Sequence, residues 1–125
     1  MKTKILFIGM IFTVLLSCTS KVNGVKDISV DDLQLVLKTN ENIQLLDVRT
    51  PSEWAEGVIK KAIEINVTAN NFENIALEKL DKTKPVYIYC RSGGRSKIAS
   101  ELLLKKGFET YNVLGGYNEW KQKNE

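Results

Sequence analysis

The chain has 125 residues, 43% hydrophobic and 26% charged, with only two prolines; this fits one globular domain and excludes a disordered or collagen-like polymer. Its net charge is +3, but Lys2 and Lys4 belong to an amino-terminal leader, and the remaining charge of about +1 is too weak to argue for a nucleic-acid partner. The sequence has no histidine, which excludes Cys–His and Ser–His nucleophile pairs and His-containing zinc sites; its two cysteines cannot build a structural zinc site alone, and no metal is expected.

Residues 1–17 begin Met1-Lys2-Thr3-Lys4, run apolar from Ile5 to Leu16 and end at Ser17. A membrane-spanning helix needs about 20 apolar residues, so this shorter run reads as a secretory leader rather than a permanent anchor. Leu15-Leu16-Ser17-Cys18 resembles the bacterial lipoprotein signal. The resemblance implies that Cys18 carries diacylglycerol through its sulfur, becomes the first residue after cleavage, and anchors the protein in the bacterial cell envelope, facing the periplasm. The alternatives are an apolar Cys18 in an uncleaved segment, or a disulfide between Cys18 and Cys90. Residues 18–26 read as a lipid-bearing tether, polar and aperiodic from Thr19 to Lys26. Fully extended at ~3.3 Å per residue, the tether reaches ~25 Å.

From residue 27 to 125, short apolar runs alternate with helical patterns, the signature of an α/β domain with a central parallel sheet of about five strands flanked by helices. Strands are expected at Ile43–Val48, Ala62–Val67, Val86–Cys90 and Thr110–Leu114, with an edge strand near Val25–Ile28. Ser29 and Asp32 start a first helix with Leu33, Val36 and Leu37 as its stripe. Thr50-Pro51-Ser52-Glu53 starts a second, with a threonine cap, proline at the first helical position and Glu53 placed to close a capping box. A third lies around Phe72–Leu80. A fourth runs from about Arg95 to Lys106 with Ile98, Ala99, Leu102 and Leu103 on one side, and Gly107 suits its left-handed stop.

The chemistry concentrates in Val86-Tyr87-Ile88-Tyr89-Cys90-Arg91-Ser92-Gly93-Gly94-Arg95-Ser96. A strand running into a cysteine, a small loop and a helix places Cys90 at the carboxyl end of the sheet, where ligands bind in such folds. With Gly93 and Gly94 free of side chains, the loop amides can turn inward as an anion-binding nest continuous with the helix start. Arg91 and Arg95 add positive charge. Together these lower the thiol pKa and make an accessible nucleophile without a histidine. The plain alternative is a buried hydrophobe ending a strand.

These residues resemble the rhodanese domain, a sulfurtransferase family, over nearly the whole of residues 27–125. Leu46-Asp47-Val48-Arg49 with Glu53 and Gly57 resembles the family's early signature, Cys90-Arg91-Ser92-Gly93-Gly94-Arg95-Ser96 its active loop, and Leu114-Gly115-Gly116-Tyr117-Asn118-Glu119-Trp120 its closing motif. The family often has Gly-His-Ile then Gly-Ala after the early signature; here the residues are Gly57-Val58-Ile59 and Lys61-Ala62. The resemblance implies that Cys90 takes a sulfane sulfur, for example from thiosulfate, as a persulfide and passes it to a thiol or cyanide. Arg91, Ser92, Gly93, Gly94, Arg95 and Ser96 would bind substrate, and Arg91 and Arg95 would stabilise charge, with no cofactor. Asp47 and Arg49 would organise the loop through ion pairs and hydrogen bonds, the plain alternative being a structural pair. Gly115, Gly116 and Trp120 read as turn and packing residues, and Glu53 as a helix cap. The expected partners are a small sulfur donor, a thiol acceptor and the membrane, with the domain itself a monomer.

Two rival functions remain. A cysteine phosphatase or arsenate reductase would have five residues between cysteine and arginine, whereas four separate Cys90 from Arg95. A membrane-tethered carrier or sensor would hold sulfide or an anion in the same pocket without efficient turnover.

Overall fold

The computed structural model describes residues 24–40 and 42–124. The leader, Cys18 and the first part of the tether lie outside the described residues. Five strands, β1 (Lys26–Ile28), β2 (Gln44–Asp47), β3 (Ile63–Glu64), β4 (Val86–Tyr89) and β5 (Thr110–Val113), form one sheet in the order β1-β5-β4-β2-β3. Every pairing is parallel. The helices are α1 (Val30–Thr39), α2 (Pro51–Trp54), α3 (Phe72–Lys79), α4 (Gly94–Lys105) and α5 (Gly116–Asn124).

Strand parity decides which helices each residue meets. Val86 and Ile88 of β4 join Leu46, Val48, Phe72, Ala76, Ala99, Leu103 and Phe108 in one cluster, on the side covered by α3 and α4. Tyr89 joins Val30, Leu33, Leu45, Ile59 and Val113 in a second, on the side of α1 and α5. Cys90 continues the parity of Val86 and Ile88 and belongs to the first cluster.

Several expectations are corrected at their edges. The regular part of β3 covers only two residues of Ala62–Val67, although Ile65 and Val67 still donate to the carbonyls of Asp47 and Val48 at 3.0 and 3.2 Å. The pleat ends where Asn66 Oδ1 accepts from the backbone and hydroxyl of Thr68 at 2.9 and 2.7 Å. The strand before the active loop stops at Tyr89, one residue before Cys90.

On α4, Ile98 is 55% exposed, and the buried side chains are Ser96, Ala99, Ser100 and Leu103. This i, i+3, i+4, i+7 stripe is the true inner face. Hydrophobic patterning passes over its two serines because their polarity is satisfied locally: Ser100 Oγ donates to the Ser96 carbonyl at 2.7 Å. Truncating Leu103 to alanine should lower stability in urea denaturation by about 3 kcal/mol. Ile98→Ala, although the sequence pattern grouped it with Leu103, should change it by less than about 0.5 kcal/mol.

Candidate active site

Cys90 follows β4 directly, and residues 91–93 turn the chain into α4. Gly93 sits at φ 121, a conformation that L side chains rarely adopt. There its N–H donates to Cys90 Sγ at 3.1 Å. The outward side of the loop is held by the start of α5, where Tyr117 N donates to the Cys90 carbonyl at 2.8 Å and Asn118 N to the Arg91 carbonyl at 3.0 Å. A trans peptide points its N–H opposite its C=O, so tying these carbonyls to α5 turns the Arg91 and Ser92 amides away from it. The turn can come this close only without a side chain: a Cβ on Gly116, at φ 55, would lie 2.5 Å from the Cys90 oxygen and 2.6 Å from that of Arg91.

Burial is the largest influence on the thiol and pushes its pKa up. The Ser96 hydroxyl and the backbone amides of Ser96, Gly93 and Ser92 outweigh it, leaving Cys90 below its ordinary value. Ser96 Oγ also lies 2.5 Å from Asn112 Oδ1 and 3.1 Å from the Gly93 carbonyl. One hydroxyl proton cannot serve all three partners, so the amides are the lasting contribution. Cys90 is a free thiol.

The expectation of an accessible sulfur is corrected. Cys90 is 1% exposed and packs with the apolar cluster that includes Val48, Ile88 and Ala99. Arg91, Ser92 and Gly94 of the same loop are exposed.

Glu53 has a larger part than the cap read from sequence. It does close the α2 capping box, its Oε1 accepting from Thr50 N at 3.1 Å and Thr50 Oγ1 at 2.9 Å. The same carboxylate takes Arg95 in a two-pronged bond at 2.8 and 2.9 Å, and Arg91 Nη1 lies 3.5 Å away. Glu53 thus ties α2 to the active loop and offsets one of its two guanidinium charges. Bonding to Arg95 holds its carboxyl well below the usual range, against an opposing push from burial, with Thr50 helping. Arg95 is raised mainly by Glu53 against burial, with a smaller part from the charge of Cys90. No local spacing links positions 53 and 95, so the pairing could not be read from the chain.

Asp47 and Arg49 pair with one another rather than with the loop. Both are fully buried; Arg49 Nε lies 3.0 Å from Asp47 Oδ1, and Nη2 lies 2.7 Å from Oδ2. Arg49 Nη2 also donates to the Gly57 carbonyl at 2.6 Å, and Trp54 Nε1 to Asp47 Oδ1 at 3.1 Å. The Arg49 guanidinium lies 4.1 Å from the ring centre of Tyr117, whose backbone N–H holds the Cys90 carbonyl. The pair therefore supports the loop at one remove. Among the described residues no cluster of three or more acidic, cysteine or histidine side chains could hold a metal.

Residues 29–123 match the model of the rhodanese-like domain. The chain belongs to the rhodanese-like family. It is 38% identical over 96 residues to the putative sulfurtransferase YtwF of Bacillus subtilis, covering 77% of this chain and 90% of that protein. It is 33% identical over 86 residues to a thiosulfate sulfurtransferase of Coxiella burnetii, covering 68% and 78% of the two chains. The crystal structure of a rhodanese-like domain protein from Staphylococcus aureus superposes with a TM-score of 0.71 at 33% identity, over 77% of this chain and 91% of that one. The single domain with its five-stranded parallel sheet is thus the rhodanese fold, and the family is one of sulfurtransferases.

The Glu53 bonds set a pH dependence. A carboxyl lowered on folding stabilises fully above its unfolded value of 4.5, and that contribution is lost as pH falls from there toward the lowered folded value. Glu53→Gln should therefore reduce stability by about 1–2 kcal/mol at neutral pH. The gap between the two proteins should narrow below about pH 4.5 in denaturation curves taken across the acid range.

Proposed function

We propose that this rhodanese-family domain moves a sulfane sulfur, from thiosulfate or a similar donor, through a persulfide on Cys90 to a thiol or cyanide. What carries the reading is the Gly93 amide on Cys90 Sγ at 3.1 Å, within a loop whose donors lower the thiol pKa without any histidine. The thiolate attacks the outer sulfur of thiosulfate, forming an Sγ–S bond. The sulfur–sulfur bond of the donor breaks, and sulfite leaves with its electron pair. The new persulfide anion inherits the charge of the thiolate, held by the amides of residues 91–96. An acceptor thiolate then attacks the outer sulfur, leaves as its own persulfide anion and returns Cys90 as thiolate.

Arg91, half exposed at the mouth, and Arg95 attract the anionic donor and the departing sulfite. Asp47 and Arg49 keep the turn behind the loop in place. The apolar leader and Cys18 support the companion reading of a lipid-anchored envelope protein.

The test is mass spectrometry of the full chain after thiosulfate exposure, joined to a turnover assay with cyanide and with a dithiol. Cys90 should gain one sulfur atom, sulfite should be released in equal amount, and repeated cycles should follow. Cys90→Ser should abolish both signals. A stable adduct without release would favour a carrier or sensor, and Cys90-dependent hydrolysis of p-nitrophenyl phosphate would favour the phosphatase. Because the thiol is lowered, the acid limb of the pH–rate profile should have its midpoint below the ordinary 9.0. Ser96→Ala removes the hydroxyl but leaves the amides in place, so the midpoint should stay below that value.

A further inference from the structure

The end of the sheet opposite Cys90 carries a feature that sulfur transfer does not use. A groove of about 620 Å³ opens between the end of α1, the start of β2 and the turn before β3. Leu37, Ile43 and Leu45 give it an apolar floor, and Lys38, Lys60 and Lys61 stand around it. All three lysines are exposed. None of them forms an ion pair with a described residue, and no acidic side chain is among the described lining residues, Glu41 between Asn40 and Asn42 lying outside them. Lys84 extends the charge along a neighbouring groove of about 200 Å³ that shares Asn40, Asn42 and Ile43.

Helix polarity explains only part of this. Lys38 lies in the last turn of α1, where a cation complements the macrodipole. Lys60, Lys61 and Lys84 lie outside helices. Lys60 is moreover the one non-glycine residue among those described with a positive φ, at 50, a conformation that Gly or Asn would adopt more cheaply. An unpaired lysine is thus kept in a strained turn at the rim of an apolar groove.

The entry of the chain indicates what such a surface meets. β1 begins at Lys26, in register with Tyr111 of β5; Tyr111 is in register with Tyr87, and Tyr87 with Leu45 on the groove floor. The chain therefore enters the sheet at the level of the groove, about three strand spacings or ~14 Å to one side. The residues before it include the apolar run from Ile5 to Leu16.

We propose that this lysine-rimmed groove docks on the surface of an anionic bilayer, a phospholipid phosphate sitting among Lys38, Lys60 and Lys61 above the apolar floor. Its orientation rests on the companion reading that the amino terminus is held in a membrane; the groove's preference for anionic lipid does not. Three lysines hold a free protein weakly, at about fivefold in surface partition for each. Tethering makes the same contact intramolecular and sufficient. Docking by this end leaves the Cys90 loop, at the carboxyl ends of the strands, on the side away from the lipid.

The full chain, purified in detergent, is reconstituted into vesicles of phosphatidylcholine with or without phosphatidylglycerol, and its amide hydrogen exchange is compared. Residues 37–40, 42, 43 and 58–62 should exchange several-fold more slowly with phosphatidylglycerol present, and residues 91–96 should be unchanged. Lys38→Gln/Lys60→Gln/Lys61→Gln or high salt should remove the protection, whereas Lys97→Gln, on α4, should not. Equal exchange in the two lipids, or protection centred on residues 91–96, would overturn the docking surface. Equal protection by soluble glycerol phosphate would overturn it in favour of a free phosphate ligand. Flotation with phosphatidylcholine alone reports the anchor separately: failure to float would reject the anchor, and lipid-dependent protection would still decide the groove.

Discussion

A thiol as buried as Cys90 can ionise only with stabilisation from the protein, and the donors around its sulfur supply some. Desolvation alone would hold the thiol protonated and unreactive. The opposing contribution comes mainly from peptide N–H groups, which act as fixed dipoles and need no reorganisation when charge appears. Their direction is decided on the other side of the same peptides, where α5 ties down the carbonyls of Cys90 and Arg91. Glycine at 93 and 116 permits both halves, one by its backbone conformation and the other by the space its missing Cβ leaves.

Charge is organised in two tiers behind this backbone frame. Glu53 holds Arg95 firmly and lies near Arg91 at longer range, so the two guanidinium groups outnumber the one carboxylate while Arg95 has a fixed position. Asp47 and Arg49 form a fully buried pair. A buried ion pair is weak evidence for stability, but losing either partner leaves an uncompensated charge. Here the Arg49 guanidinium is also packed against the Tyr117 ring, and Arg49 Nη1 has no hydrogen-bond partner among the described residues. The aromatic face takes the place of an acceptor there, which couples the early signature of the chain to its closing motif.

What could be read from the sequence follows from the range over which its patterns act. Strand parity, capping residues and the glycine-rich turn are local, and they locate the parallel sheet, α1, α2 and the cysteine loop. The arginine partners of Glu53 lie about 40 residues away on another element, and nothing local announces them. The buried serines of α4 defeat a hydrophobic pattern because their polarity is cancelled within the helix and by its neighbours. The amides of Tyr117 and Asn118 are backbone groups, so no residue type marks their contribution. Burial of Cys90 and donation to its sulfur stood as alternatives in the sequence, and the structure combines them: the residue packs in the apolar cluster while the Gly93 amide reaches its Sγ.

Recognition through backbone has a consequence for donor choice under the sulfur-transfer reading. Peptide amides respond to charge and distance, and they treat the terminal sulfur of thiosulfate, of a persulfide or of a polysulfide alike. Discrimination therefore falls to the exposed side chains of the loop itself, Arg91, whose side chain is 53% exposed, and Ser92. The chemical step and the choice of partner are thus carried by different parts of the site, backbone for the first and exposed side chains for the second. Under that reading, substitutions at Arg91 can alter the donor range while leaving the amide frame around Cys90 intact.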